Sequence, residues 1–129
     1  MIVLDSSAAV EYLLGSGMGE RVEARLIADF DLHAPHVLDL EVLNTLRRLV
    51  RTRAVAGTLA RQALVDLAEL DLTRYPHLPF VERVWELRAN LSAHDAVFVA
   101  LAEALGAELL TTDVRLAQAP GVRAVIVTP

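Results

Sequence analysis

Asp5, Glu41, Asp95 and Asp113 each stand at the boundary between two chain elements. Asp5 closes the apolar run Met1-Ile2-Val3-Leu4, and Asp113 closes a second apolar run through Thr111-Thr112. Glu41 and Asp95 fall near the starts of two helical segments. In open α/β sheets, ligands sit outside the carboxyl ends of the strands, and a doubly wound sheet would bring several of these acids to one rim. Clustered carboxylates repel one another, so a stable cluster calls for a divalent cation. Oxygen ligands without cysteine point to Mg²⁺, with Mn²⁺ able to substitute, rather than to zinc. Such a centre suits phosphoryl transfer by a metal-activated water. Each acid also has a structural reading. Asp5 and Asp113 can cap the helices after them, Ser92-Ala93-His94-Asp95 has the form of a capping box, and Glu41 suits a first helical turn. Spacing alone leaves both readings open.

The elements that must position these acids follow from periodicity. Ile2–Leu4 has no alternation and reads as a strand buried on both faces. Residues 8–14 and 18–30 read as helices separated by Gly15-Ser16-Gly17, and Leu32-His33-Ala34 as a short strand before Pro35. The longest helix is expected over 37–53, with Val42, Leu43, Leu46, Leu49 and Val50 as its apolar stripe and Glu41, Thr45 and Arg48 beside it. A helix from Gly57 carries Leu59, Ala63, Leu64, Leu67 and Ala68, and 71–75 reads as an edge strand. Pro76 and Pro79 bracket a turn into a helix with Val81, Val84, Trp85 and Leu87. Residues 92–105 form a helix apolar nearly all round, stopped by Gly106. Strands at 107–110 and 123–127 flank a helical turn at 114–117. Strands alternating with helices predict an α/β/α sandwich around a parallel sheet.

Composition bounds the function. A chain of 129 residues has the size of one domain, and its 54% hydrophobic content excludes disorder. No apolar run approaches the roughly 18 residues of a membrane span, and no leader precedes the first strand, so a cytoplasmic protein without membrane attachment is expected. Cysteine is absent. The net charge of −5 argues against holding nucleic acid by charge alone, yet allows local basic patches. All 12 basic residues are arginine, so no mechanism can use a catalytic lysine. Arg47, Arg48, Arg51 and Arg53 crowd the end of the Glu41 helix, either as a phosphate clamp or as cations favoured at a helix C-terminus.

Val3-Leu4-Asp5-Ser6-Ser7-Ala8, Leu40-Glu41-Val42, Leu91-Ser92-Ala93-His94-Asp95-Ala96 and Leu110-Thr111-Thr112-Asp113-Val114-Arg115-Leu116 resemble, in order and spacing, the motifs of PIN-domain ribonucleases. The chain length and spacing resemble the VapC toxins of type II toxin–antitoxin pairs, and the likeness spans residues 1–129 as a single PIN domain. The resemblance implies a three-layer fold with a five-stranded parallel sheet in the order 3-2-1-4-5. It implies metal binding and catalysis by Asp5, Glu41, Asp95 and Asp113, supported by the hydroxyls of Ser6 and Thr112. It further implies RNA cleavage leaving a 5′-phosphate and a 3′-hydroxyl, a VapB-like antitoxin partner, a homodimer and larger toxin–antitoxin assemblies. Arg48 and Arg47 are the candidate RNA contacts. His94 departs from the pattern, since many relatives carry tyrosine there.

Three other classes compete. A receiver-type signalling domain would need adjacent acids after the first strand and a lysine, and neither is present. A non-catalytic α/β binding module would use the acids as caps. A PIN-like nuclease acting on DNA or branched nucleic acid would need an insertion to arch over its substrate, and none is visible.

Overall fold

The computed structural model describes all 129 residues, Met1–Pro129. Five short strands, β1 (Ile2–Leu4), β2 (Leu32–Pro35), β3 (Leu72–Tyr75), β4 (Glu108–Leu110) and β5 (Ile126–Val127), form one sheet in the order β3-β2-β1-β4-β5. Every pairing is parallel, with Val3 opposite His33 on one side and Leu109 on the other. The order agrees with the expectation and places β1 and β4 side by side. Asp5 N–H donates to the carbonyl of Leu110 at 3.0 Å, so the two strands end together. β5 has only two residues, shorter than the 123–127 read from sequence.

Seven helices surround the sheet. They are α1 (Ser6–Leu14), α2 (Gly17–Ala28), α3 (Val37–Arg51), α4 (Gly57–Glu69), α5 (Val81–Glu86), α6 (Ala93–Leu105) and α7 (Val114–Ala117), with a 3₁₀ turn at Leu78–Phe80. α1 packs against α2, α3 and α4, whereas α6 crosses β1, β2 and β4 with α5 outside it. That arrangement is the α/β/α sandwich. α6 earns its central place by composition: Ala96 to Ala102 is buried without a break. Its start is fixed by Ser92 Oγ, which accepts from Asp95 N–H at 3.2 Å. Its end is fixed by Gly106 at φ 64°, a left-handed cap that turns the chain into β4. Phe98, Leu4, Leu38, Leu101, Leu109 and Leu110 are the largest side chains fully out of solvent. Each contributes about 1.5–3 kcal/mol by burial.

Several details differ from the periodicity reading. α3 ends at Arg51, and Arg53 has turned out of it at φ 61°. The buried stripe of α3 is Leu38, Val42 and Leu46, while Leu43 (43% exposed) and Val50 (36% exposed) face outward. The helix carries two overlapping apolar rows, and the one that begins a turn earlier is the one turned inward. On α4 the buried residues are Ala60, Ala63 and Leu67, with Leu59 exposed. Trp85 is 65% exposed, and Arg88 stacks on its ring at 4.3 Å.

Candidate metal centre

The carboxyl ends of β1 and β4 carry the first two acids. Asp5 is 4% exposed and occupies the N-cap position of α1 without making a side-chain cap bond. Its carboxylate is held by hydroxyls instead. Ser7 Oγ donates to Asp5 Oδ2 at 2.6 Å, and Thr111 Oγ1 donates to the same oxygen at 2.7 Å. Both bonds use Oδ2, which leaves Oδ1 for another partner. Ser7 also accepts from Thr112 N–H at 3.1 Å, and Thr111 Oγ1 accepts from Asp113 N–H at 3.0 Å. These bonds tie the β4–α7 loop to the end of β1.

Glu41 arrives from the first turns of α3, the register of which is steadied by a forked ion pair from β3. Arg74 Nε and Nη2 reach Asp39 at 2.8 and 2.9 Å. Ser6 Oγ then donates to Glu41 Oε2 at 2.7 Å. The other oxygen, Oε1, is buried and has no hydrogen-bond partner. A carboxylate oxygen out of solvent without a donor is costly, and native structures rarely keep one without a reason.

Electrostatics join these acids to a third. Burial pushes the Asp5 carboxyl above its ordinary value, against the two hydroxyl bonds, and the Asp95 charge adds to the rise. Burial likewise raises Glu41, with Ser6 opposing and Asp5 and Asp95 reinforcing it; His94 lies near enough to offset a little. Asp5, Glu41 and Asp95 therefore feel one another as like charges. No three His, Asp or Glu side chains converge tightly enough to form a preformed cage for an ion. The acids are gathered, but not closed.

Asp113 behaves differently. Its backbone is bound into the site through Thr111, yet its carboxylate faces Arg115. Oδ1 accepts from Arg115 N–H at 3.0 Å and from Arg115 Nε at 3.1 Å, and Oδ2 accepts from Nη2 at 2.8 Å. The Arg115 bonds hold Asp113 below the usual carboxylate range. Among the supporting hydroxyls, Ser6 meets Glu41, but Thr112 contributes its backbone N–H rather than its side chain to the network. Thr111, fully buried, supplies the hydroxyl that was expected one residue later. Ser7 is the other partner that sequence reasoning missed. Strand alternation cannot distinguish neighbouring hydroxyl residues at a strand end, where the pleat gives way to a loop.

Beside Glu41 lies a cleft of about 340 Å³ lined by Glu41, Asn44, Thr45, Arg47, Arg48 and Arg51, with no apolar residue. Arg47 and Arg48 thus share a polar recess with a candidate metal ligand, and Arg51 joins them. His33 lies elsewhere, buried in β2 between Tyr75 Oη and Asp31 Oδ1, each at 2.8 Å.

The parallel order 3-2-1-4-5, with acids gathered at the ends of its two central strands, defines a PIN-type domain, and the PIN domain family model matches residues 2–122. The chain belongs to the VapC ribonucleases within that family. It is 47% identical over 116 residues to Ribonuclease VapC9 of Mycobacterium tuberculosis, covering 90% of this chain and 88% of the relative. It is 45% identical over 120 residues to Ribonuclease VapC1 of the same organism, covering 92% of this chain and 90% of the relative. Among solved structures, VapBC2 from Rickettsia felis, crystallised with a DNA fragment from its promoter, superposes with a TM-score of 0.70. That match covers 99% of this chain and 98% of the other at 14% identity, and supports the fold alone.

Proposed function

We propose that residues 1–129 form a single PIN domain acting as a divalent-metal-dependent endoribonuclease, the toxin of a VapBC-type pair, with Mg²⁺ as the cation and Mn²⁺ able to replace it. The observation that carries this reading is the pairing of a buried acid, Asp5, with a half-buried one, Glu41, each with one oxygen engaged by hydroxyls. The oxygen left over on Glu41 is buried without a donor. Hard oxygen ligands of this kind fit Mg²⁺ or Mn²⁺. Asp5, Glu41, Asp95 and, after leaving Arg115, Asp113 would hold it. When bound, the cation supplies Lewis acidity, offsetting phosphate charge and making water a better nucleophile.

The chain's own residues have separate tasks. Ser7 and Thr111 fix the rotamer of Asp5, and Ser6 fixes that of Glu41. Arg47 and Arg48 would hold phosphates of the RNA strand in the polar cleft next to Glu41. Water adds across the phosphorus–O3′ bond, leaving a 5′-phosphate on one fragment and a 3′-hydroxyl on the other. The VapC kinship supports a VapB-like antitoxin partner, a homodimer and a cytoplasmic location; no helix is long and apolar enough to cross a membrane.

The test is expression of the chain without an antitoxin, followed by sequencing of newly generated RNA 5′ ends. New ends are expected with the native chain and not with Asp5→Asn, whose fold is checked by circular dichroism. Absence of new ends from the native chain in the presence of Mg²⁺ would favour a non-catalytic α/β binding module.

A further inference from the structure

In the Asp113–Arg115 pair the guanidinium is exposed and the carboxylate half-buried, and ion pairs that open to solvent ordinarily contribute little to stability. Its position makes it unusual. Arg115 occupies both oxygens of the one acid in the group whose backbone, through Asp113 N–H and Thr111 Oγ1, is tied directly to a ligand of Asp5. The guanidinium, 84% exposed, is also close enough to Asp95 to interact with its charge. Asp5 and Glu41 keep an oxygen free of hydroxyl donors, whereas Asp113 keeps none free of Arg115.

We infer that Arg115 is an internal counter-ion that holds Asp113 away from the other three acids until a divalent cation displaces it. The inference rests on the metal-dependent reading above and assigns a positioning role to a residue that reading does not use. The Asp113 backbone is already fixed by its N–H bond to Thr111 Oγ1, so the exchange is one of side-chain contacts: the carboxylate leaves the Arg115 guanidinium and the cap bond from the Arg115 N–H. The exchange swaps one cation for another: Asp113 gives up the guanidinium fork and gains the metal. Freed from Asp113, the guanidinium stands at the rim of the site beside Asp95, where an RNA phosphate is its natural replacement partner.

Direct titration of the metal-free protein with Mn²⁺ by calorimetry, without RNA, tests this. Arg115→Ala should bind Mn²⁺ about three- to tenfold more tightly, the range set by losing the forked pair on Asp113. The gain should fall below about twofold when Asp113→Asn is already present, since Asp113 then has no charge for Arg115 to hold. Unchanged or weaker binding by Arg115→Ala overturns the inference. So does a gain that persists undiminished in the Asp113→Asn background, which would mark a general field effect. Failure of the native chain to bind Mn²⁺ would overturn both this inference and the metal-dependent function. A normal native isotherm with an unaltered Arg115→Ala isotherm overturns this inference alone.

Discussion

Replacing Glu41 by Gln should stabilise the metal-free protein. Glu41 Oε1 is buried without a partner, and Asp5 and Asp95 repel the charge it shares. Leaving such an acceptor unsatisfied costs about 1–3 kcal/mol. Glu41 is only partly buried, so solvent relieves some of that, and a gain of ~1 kcal/mol is expected in the variant. The Gln carbonyl oxygen can still accept from Ser6 Oγ, and its amide brings donors to where the unpartnered oxygen lies. For a domain of this size, 1 kcal/mol corresponds to about 3–6 °C in Tm. The assay is thermal melting followed by circular dichroism in a chelator, repeated across pH. Glu41 in the folded protein is raised above its ordinary 4.5 and Asp5 above its ordinary 3.8, so folding is penalised when both are charged. That penalty is full above the raised values and fades as pH falls through them toward the ordinary ones. The advantage of Glu41→Gln should therefore be largest near neutral pH and shrink on acidification. Mn²⁺ should reverse the order, raising the native Tm in a dose-dependent way and the variant Tm less. A Glu41→Gln protein that melts below the native chain in chelator at neutral pH would show that the unpartnered Oε1 carries no such cost.

Thr111→Val removes a buried donor to Asp5 and the acceptor for Asp113 N–H; a loss of about 1–3 kcal/mol by denaturant unfolding is expected, with a larger fractional loss of RNA cleavage. Arg48→Ala should weaken RNA binding with little change in Tm and should flatten the dependence of binding on salt, which fluorescence anisotropy at several ionic strengths would measure. Gly19→Ala should destabilise the fold by about 3 kcal/mol or force α1 and α2 apart, because a Cβ at Gly19 would lie 2.1 Å from the Glu11 carbonyl oxygen; a melting curve indistinguishable from that of the native chain would contradict the close approach of these helices.

The parts legible in the sequence are those in which one physical demand dominates. β1 and the middle of α6 are uniformly apolar because each is covered all round, so Ile2–Leu4 and Ala96–Ala102 could be read without a partner in view. Asp5 and Asp113 stood out because they interrupt apolar runs where a parallel strand must end. Legibility fails where two choices satisfy the same local rule. On α3, the rows Leu38–Val42–Leu46 and Leu43–Leu46–Val50 both have helical spacing, and only the tertiary packing of α3, against α1 and α4 as well as β2, decides which is covered. Thr111 and Thr112 are equivalent in sequence, yet the first is buried with its hydroxyl on Asp5 and the second joins the network through its backbone N–H. The pairing of Asp113 with Arg115 depends on a helix of four residues, too short for periodicity to orient.

The hydroxyls of this site do more than satisfy buried acids. Three donors, Ser6, Ser7 and Thr111, act on two carboxylates and converge on one oxygen of each, Oε2 of Glu41 and Oδ2 of Asp5. Two donors shared evenly between the oxygens of Asp5 would favour the charged form more completely and leave nothing to offer a cation. Concentrating them on one oxygen fixes the side-chain rotamer while keeping the other oxygen reactive toward a ligand. The expense is borne as raised proton affinity at Asp5 and Glu41, both of which burial pushes upward in spite of the hydroxyls. Asp113, near the surface, follows the opposite logic: its oxygens are all engaged, by a partner that solvent can readily replace. In the metal-dependent reading proposed above, a pair fixed by hydroxyls and an exchangeable outer acid would let the site assemble around a cation without any movement of the sheet.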